Sequence, residues 1–328
     1  MTKECIKKRL KKILFMKYYQ ILIATIIFLS STIFGEEKPT YHFLHQEIDA
    51  RSSALAGSFV SASNDPNVLY YNPAGLATIQ KSQIAFGFTK HLLDVNAGNL
   101  SYAQQVEDVG FVGAGIYYIN YGSFKETNVF GDENGTFGAG DMLLSVGIAR
   151  TVEENLSLGI SGKFIYSSIQ KYSSSAVAAD IGVVYNIPGS DPISLAATLA
   201  NIGTQLSSYS STTEKLPFEF TIGGNIKPQH LPIVLNLNFH KLNESQDSFL
   251  QRFKNFSFGA EILASESFHL RVGYNSERRK ELKIGNSAGL AGISFGAGIF
   301  IKDIRVDYSF SSLGQIGSIN RISLNYNL

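Results

Sequence analysis

Alternation of apolar and polar side chains, repeated down to the last residue, constrains this chain more than any other feature. In the final stretch Ile322, Leu324, Tyr326 and Leu328 alternate with Arg321, Ser323, Asn325 and Asn327. Phe268, Leu270, Val272 and Tyr274 are interleaved in the same way with Ser267, His269, Arg271 and Gly273. Ile233, Leu235, Leu237 and Phe239 repeat the pattern, with Asn236, Asn238 and His240 among the intervening residues. A period of two puts the apolar side chains on one face of a sheet and the polar ones on the other. In a soluble sandwich the apolar face is the core. In a membrane barrel it meets lipid, and the polar face lines a lumen.

From Ser82 onward the pattern predicts about fourteen strands, near 82–90, 98–106, 109–121, 141–150, 155–168, 173–187, 193–202, 216–227, 231–240, 254–263, 267–275, 287–301, 304–311 and 318–328. Several exceed the roughly five or six residues usual in soluble proteins. Most approach the roughly 9–11 that a tilted strand needs to cross a bilayer. The connections alternate in length. Glu107–Asp108, Thr151–Asn155, Pro188–Pro192, Lys227–Leu231, Ala264–Glu266 and Lys302–Asp303 are brief. Gly122–Gly140, Gly203–Lys215, Lys241–Phe253 and Ser276–Asn286 are long and polar, while Gln170–Tyr172 and Ser312–Gly317 are short members of that second set. Short periplasmic turns and longer external loops give such an alternation, with both mature ends in the periplasm.

Charge placement supports the membrane reading. Lys163, Glu219, Glu261, Arg271, Arg305, Asp307 and Arg321 lie opposite a face that carries Leu156, Leu158, Ile160, Phe218, Phe220, Ile222, Phe256, Phe258, Ile262, Val306, Tyr308 and Phe310. Arg or Lys on a lipid face at mid-bilayer costs roughly 2–4 kcal/mol. These charges are therefore expected to point inward, with Gly147, Ala149, Ala196 and Ala200 leaving room among them. The fold class expected is all-β: a transmembrane antiparallel β-barrel of about 14 strands, with a small N-terminal hatch or plug containing short helices. The alternative is a soluble, secreted β-sandwich or barrel with a dry core.

The N-terminus reads as an export signal. Lys3, Lys7, Lys8, Arg9, Lys11, Lys12 and Lys17 precede the apolar run Ile21–Leu29, and Ile33 and Gly35 suit cleavage before Glu36. Met16 is an alternative start. An uncleaved anchor is the rival reading, but the run is short of the roughly 20 residues of a spanning helix and is interrupted by Ser30, Ser31 and Thr32. The whole chain carries a formal +1, and residues 1–35 hold seven basic side chains and one acidic, so the remainder carries −5. Nothing basic is left over to suggest nucleic acid. The single cysteine, Cys5, lies in the signal, which removes disulfides and thiolate metal sites from the mature chain. The 30 Gly suit tight turns and closely packed barrel walls, and the 23 Phe and 16 Tyr suit aromatic girdles. The expected division is a signal peptide at 1–35, a hatch or plug at 36–81 and an outer-membrane barrel at 82–328.

The segment 36–81 does not alternate. Ala50–Ala54 and Asn67–Tyr71 are each predicted to form a short helix, with Asp65 as N-cap and Pro66 at the first helical position of the second. Asn72-Pro73 is expected to break that helix and Gly75 to allow a tight turn. Asp49-Ala50-Arg51, Ala56-Gly57, Ser63-Asn64-Asp65-Pro66 and Tyr70-Tyr71-Asn72-Pro73-Ala74-Gly75-Leu76 resemble the start of PorV/PorQ proteins, which group with the FadL-type outer-membrane transport barrels. The resemblance is specific over about 30 residues and architectural beyond them. It implies that Asn72, Pro73, Ala74 and Gly75 form a hatch motif, structural or gating, and that Asp49, Arg51 and Asp65 make hatch contacts. Asp49 and Arg51 are expected either to pair locally or to touch the barrel wall. One departure is Leu328, where such barrels end in an aromatic residue; Tyr326 is on the same face.

The resemblance implies two roles. One is transport of hydrophobic small molecules across the bacterial outer membrane through a plugged barrel. The other is a PorV-like interaction role in type IX secretion, with cargo proteins at the external loops. A general diffusion porin is a third reading, disfavoured by a plug-sized segment. Implied partners are outer-membrane lipid and the barrel assembly machinery, the latter through the C-terminal strand. No enzyme is expected, and no cofactor or metal. His42 and His45 lack a third ligand, and the sequence places no serine or carboxylate beside the inward His240 or His269.

Overall fold

The computed structural model describes residues 40–244, 248–284 and 287–328. The expected signal peptide, 1–35, lies outside them. Fourteen strands form one closed antiparallel barrel: β1 Gln83–Lys90, β2 Asn96–Val106, β3 Gly110–Thr127, β4 Glu133–Glu153, β5 Leu156–Ile169, β6 Tyr172–Ile187, β7 Ile193–Ser207, β8 Glu219–Ile226, β9 Ile233–Phe239, β10 Phe256–Ser265, β11 Phe268–Asn275, β12 Ile293–Ile301, β13 Ile304–Ser312 and β14 Ser318–Asn327. Each pairs with its sequence neighbours, and β1 closes the ring on β14 from Gln83↔Asn327 to Lys90↔Asn320. Closure removes every edge within the barrel, which an open sheet cannot do. Among the described residues no helix is long and apolar enough to cross a membrane.

The alternation resolves as a lipid-type exterior around a polar interior. Phe86, Leu144, Ile160, Phe258, Phe295 and Leu324 are exposed on the outside. Lys163, Glu261, Arg271, Asp307 and Arg321 are buried within. The wall is uneven. Strands β3 to β7 run 14–21 residues, whereas β8 to β14 run 7–10.

Most strand limits fall within a few residues of the sequence expectation, and the departures cluster on the long-loop side. The expected loop Gly122–Gly140 is mostly paired: Ser123↔Gly138 to Thr127↔Glu133 carry β3 and β4 outward as a hairpin. Its Phe124–Phe137 stack, with centroids 5.4 Å apart, pairs side chains that looked like loop residues in a Gly-rich sequence. The helix α2 (Ser276–Glu281) lies in the expected loop, and the expected strand 287–301 begins only at Ile293, because the chain before it turns, with Ala291 N donating to Ala288 O (2.9 Å) and Ile293 N to Leu290 O (3.0 Å).

The N-terminal segment fills the lumen from end to end and is not confined to the periplasmic mouth. It comprises a 3₁₀ turn at His42–His45, α1 at Ala50–Ala54, and 3₁₀ helices at Pro66–Tyr70 and Pro73–Thr78. Lys81 Nζ lies 3.0 Å from Asp303 in a short turn. At the opposite end Thr40 N donates to Lys215 O (3.3 Å) in the loop after β7. The first described residue is therefore at the long-loop end of the barrel, across the lumen from Leu328, contrary to the expectation of two ends on one side.

Candidate functional site

The hatch meets the wall on two faces. On the side of β4 to β6 the contact is made by the Asn72-Pro73-Ala74-Gly75 motif. Asn72 does not simply end a helix: its Oδ1 accepts from Ala74 N (3.1 Å), capping the 3₁₀ helix Pro73–Thr78. Its Nδ2 donates to Val60 O (2.9 Å) within the hatch and to Val183 O (3.2 Å) on β6. One amide thus holds the helix start, the hatch fold and the wall. Pro73 and Ala74 press their backbone against Gly159 of β5, and Asn72 lies on Gly182 of β6, so that a Cβ at either glycine would collide with the hatch. Leu69 occupies the corresponding space at Gly147 of β4. Gly75 does not face the wall; a Cβ there would come 3.0 Å from Val68 Cβ, so this glycine allows two hatch turns to pack.

On the side of β10 to β14 the contact includes buried charge. Asp49 caps α1, its Oδ1 accepting from Ser52 N (3.0 Å). Arg51 does not depend on Asp49: its guanidinium bonds to Glu261 on β10 (3.1 Å), lies 3.5 Å from Asp65 and donates to Ser63 O (3.2 Å). Asp65 caps the Pro66–Tyr70 helix through Asn67 N (3.0 Å) and also pairs with Arg305 of β13. Arg305 continues to Asp307 (2.7 Å), which meets Arg271 (2.7 Å), which meets Glu261 (2.7 Å). Arg321 of β14 donates to Ser53 Oγ (2.7 Å). Glu261, Arg271, Asp307 and Arg305, scattered in the sequence, thus form one network joined to the hatch through Arg51 and Asp65. Asp49 Oδ2 has no hydrogen-bond partner among the described residues. Burial, with the charge of Asp65 added, pushes the Asp49 carboxyl up to about 6. Glu47 is also buried, but Arg278 and Arg321 outweigh that penalty and hold its carboxyl below the ordinary value.

On the long-loop side of the hatch lies a cavity of about 120 Å³, with Ile48, Val60, Tyr70 and Tyr71 of the hatch and Leu143, Lys163, Thr198, Asn201, Glu219, Asn238, His240 and Lys241 of the barrel among its walls. Lys163 Nζ pairs with Asp180 (2.6 Å) and donates to Asn201 Oδ1 (2.9 Å). Asn201 sits at an irregularity in the β6–β7 pairing with φ of 60°, where its N–H turns to Asp180 Oδ1 (2.8 Å). Glu219 lies between His45 Nδ1 (2.7 Å) and His240 Nδ1 (3.3 Å). His240 Nε2 in turn lies 2.7 Å from Ser257 Oγ. The fold therefore supplies the serine and carboxylate that the sequence could not place beside His240. Ser257 is fully buried and absent from the cavity wall, and Glu219 lies closer to His45, so the arrangement is a polar clamp on the wall. His42, three residues before His45, is exposed. The pairing of His45 with Glu219 escaped sequence reasoning because the two are far apart in the chain and belong to different segments.

A family model described as an uncharacterised protein family, UPF0164, matches residues 34–187. No curated protein matches this chain. Among solved structures, the toluene transporter TbuX of Ralstonia pickettii is 12% identical with a TM-score of 0.58, over 85% of this chain and 98% of that one. The toluene transporter TodX of Pseudomonas putida is 14% identical with a TM-score of 0.55, over 84% and 95%. A FadL homologue of Pseudomonas aeruginosa is 10% identical with a TM-score of 0.52, over 85% and 98%. At such identities the likeness is one of fold. The fold is a fourteen-stranded barrel with its lumen filled by the N-terminal segment, similar to the barrels of those structures.

Proposed function

We propose that this protein is an outer-membrane transport barrel that admits small, largely hydrophobic molecules past its hatch. The observation that carries this reading is the closed lumen: a hatch seated on glycines and a charge network, with a ligand-sized cavity on its long-loop side. The same barrel architecture is used by proteins described as toluene transporters and a monoaromatic hydrocarbon channel. Free diffusion of solutes fits poorly with a lumen occupied along its length. In this reading residues 1–35 are the removed signal, 36–81 the hatch and 82–328 the barrel. Asn72, Pro73 and Ala74 seat the hatch, Gly75 lets its turns pack together, and Asp49, Arg51 and Asp65 fasten its other side. The strand β14 addresses the chain to the assembly machinery, and outer-membrane lipid surrounds the apolar exterior.

The PorV-like reading has one observation in its favour. The β3–β4 hairpin carries Val129 and Phe130 at its tip, 94% and 87% exposed, where a protein partner could cover them. Purification from the native outer membrane in mild detergent, followed by mass spectrometry of everything bound, separates the two. A bound hydrophobic small molecule without protein partners is the result expected. Co-purifying exported proteins and a translocon would overturn transport in favour of secretion.

A further inference from the structure

The cavity beside the hatch is the right size for one small ring but has the wrong chemistry for a bare hydrocarbon. An engineered apolar cavity of about 150 Å³ stays dry and binds benzene. This one, of about 120 Å³, is comparable in size, yet polar groups share its wall with apolar ones in nearly equal measure. A hydrocarbon in it would strip water from those groups and replace none of their hydrogen bonds, which is costly. A carboxylate fares no better, because the charges on the wall are already matched. Lys163 is held by Asp180, Lys241 by Glu277 (2.5 Å), and the two histidines share Glu219.

What remains on the wall is hydrogen-bonding capacity that a neutral hydroxyl can use. Lys163 donates to Asp180 and Asn201 and Lys241 to Glu277, and an ammonium has three donors. Glu219 accepts from Thr221 (2.6 Å) as well as facing both histidines, and a carboxylate offers about four lone-pair sites. Thr198 donates its hydroxyl to Ile181 O (3.3 Å), leaving its oxygen to accept. The rings of Tyr70 and Tyr71 with Leu143 supply an apolar side. The geometry points to a small, neutral ligand that combines an apolar body with a hydroxyl donor, a phenol-type molecule, as what this cavity takes. This rests on the transport reading above and narrows its substrate class.

The test is uptake by intact Gram-negative cells carrying the full-length protein in their outer membrane, against cells without it, using toluene, p-cresol and benzoate as probes of similar size. The protein is expected to accelerate p-cresol about two- to tenfold more than toluene, the worth of one hydrogen bond, and benzoate not at all. Toluene accelerated as much as p-cresol, or benzoate accelerated at all, would overturn the ligand class while leaving transport standing. If no probe were accelerated, transport of small aromatics would fail, and the ligand class with it. Glu219→Gln and, separately, Thr198→Val should bring the cresol-to-toluene ratio toward one. The wild-type ratio decides the matter even if either variant fails to fold.

Discussion

The two faces of the hatch are held by different physics. Against β4 to β6 the segment Asn72–Ile79 contains no charged residue and is positioned by shape, with its backbone lying on Gly159 and the Asn72 side chain on Gly182. Against β10 to β14, glycines also admit the chain, at Gly259, Gly273 and Gly296, but a chain of guanidinium–carboxylate pairs is added. A contact made by shape is lost as soon as the surfaces separate. A contact made by buried charge depends on every partner remaining present and ionised. The comparison teaches that the same plug can be loosened by two independent routes, one steric and one electrostatic.

The electrostatic route should give the largest effect. Arg305→Met removes the cation between Asp65 and Asp307 and leaves both carboxylates buried with fewer partners. Breaking a buried pair in this way costs about 3–5 kcal/mol. The expected outcome is a folded, heat-modifiable barrel with frequent large openings in planar bilayers. An unchanged conductance trace would show that the charge network does not hold the hatch. The steric route comes next. Gly182→Ala places a methyl group against Asn72, and overpacking of this kind costs about 1–3 kcal/mol. Protease sensitivity of the hatch in folded protein should rise, and by less than for Arg305→Met.

The contrast also explains what was legible beforehand. The barrel could be read because a period of two repeats in every strand and because the cost of a charge in lipid fixes the facing of Arg271, Asp307 and Arg321. The Asp65 cap could be read because capping is a local property, whereas the helix Ala50–Ala54 could be read but not the role of Asp49 in capping it. Three further things could not. The second cap, at Asn72, was hidden by the habit of reading Asn-Pro as a stop. The join between Arg51 and Glu261 spans 210 residues, and nothing in the alternation says which strand the hatch will touch. The cavity depends on how far the hatch climbs the lumen, which is set by glycines that, in a strand, look like breaks in the pattern.

Asn72→Ala sharpens the comparison within the shape-held face. It removes the cap on Pro73–Thr78 and the bond to Val183 but leaves the backbone seated on Gly159. Loss of a cap costs about 0.5–2 kcal/mol, so the variant should fall below Gly182→Ala in protease sensitivity. If it exceeded Gly182→Ala, the hydrogen bonds of the Asn72 amide rather than its close fit against Gly182 would be the principal anchor.

The titration of Asp49 carries the clearest sign. Asp49 has its carboxyl raised to about 6 from an ordinary 3.8, so the docked hatch binds a proton more tightly than the released one. Its contribution favours docking at low pH, weakens as pH rises from about 4 to about 6, and is level above that. The groups around it that bear charge are Asp65 on the hatch and Asp307 on β13, each of which opposes a second negative charge there. Asp49→Asn keeps an N-cap, since Asn caps as well as Asp, and removes the titration. Urea unfolding of the two proteins across pH 4 to 7 should therefore converge at the acid end. Toward neutrality the wild type should lose stability relative to the Asn variant. Parallel curves would mean that Asp49 stays ionised in the docked hatch, its charge compensated by the Arg51–Arg305 side of the network, so that the electrostatic face would answer to the loss of a partner and not to protons.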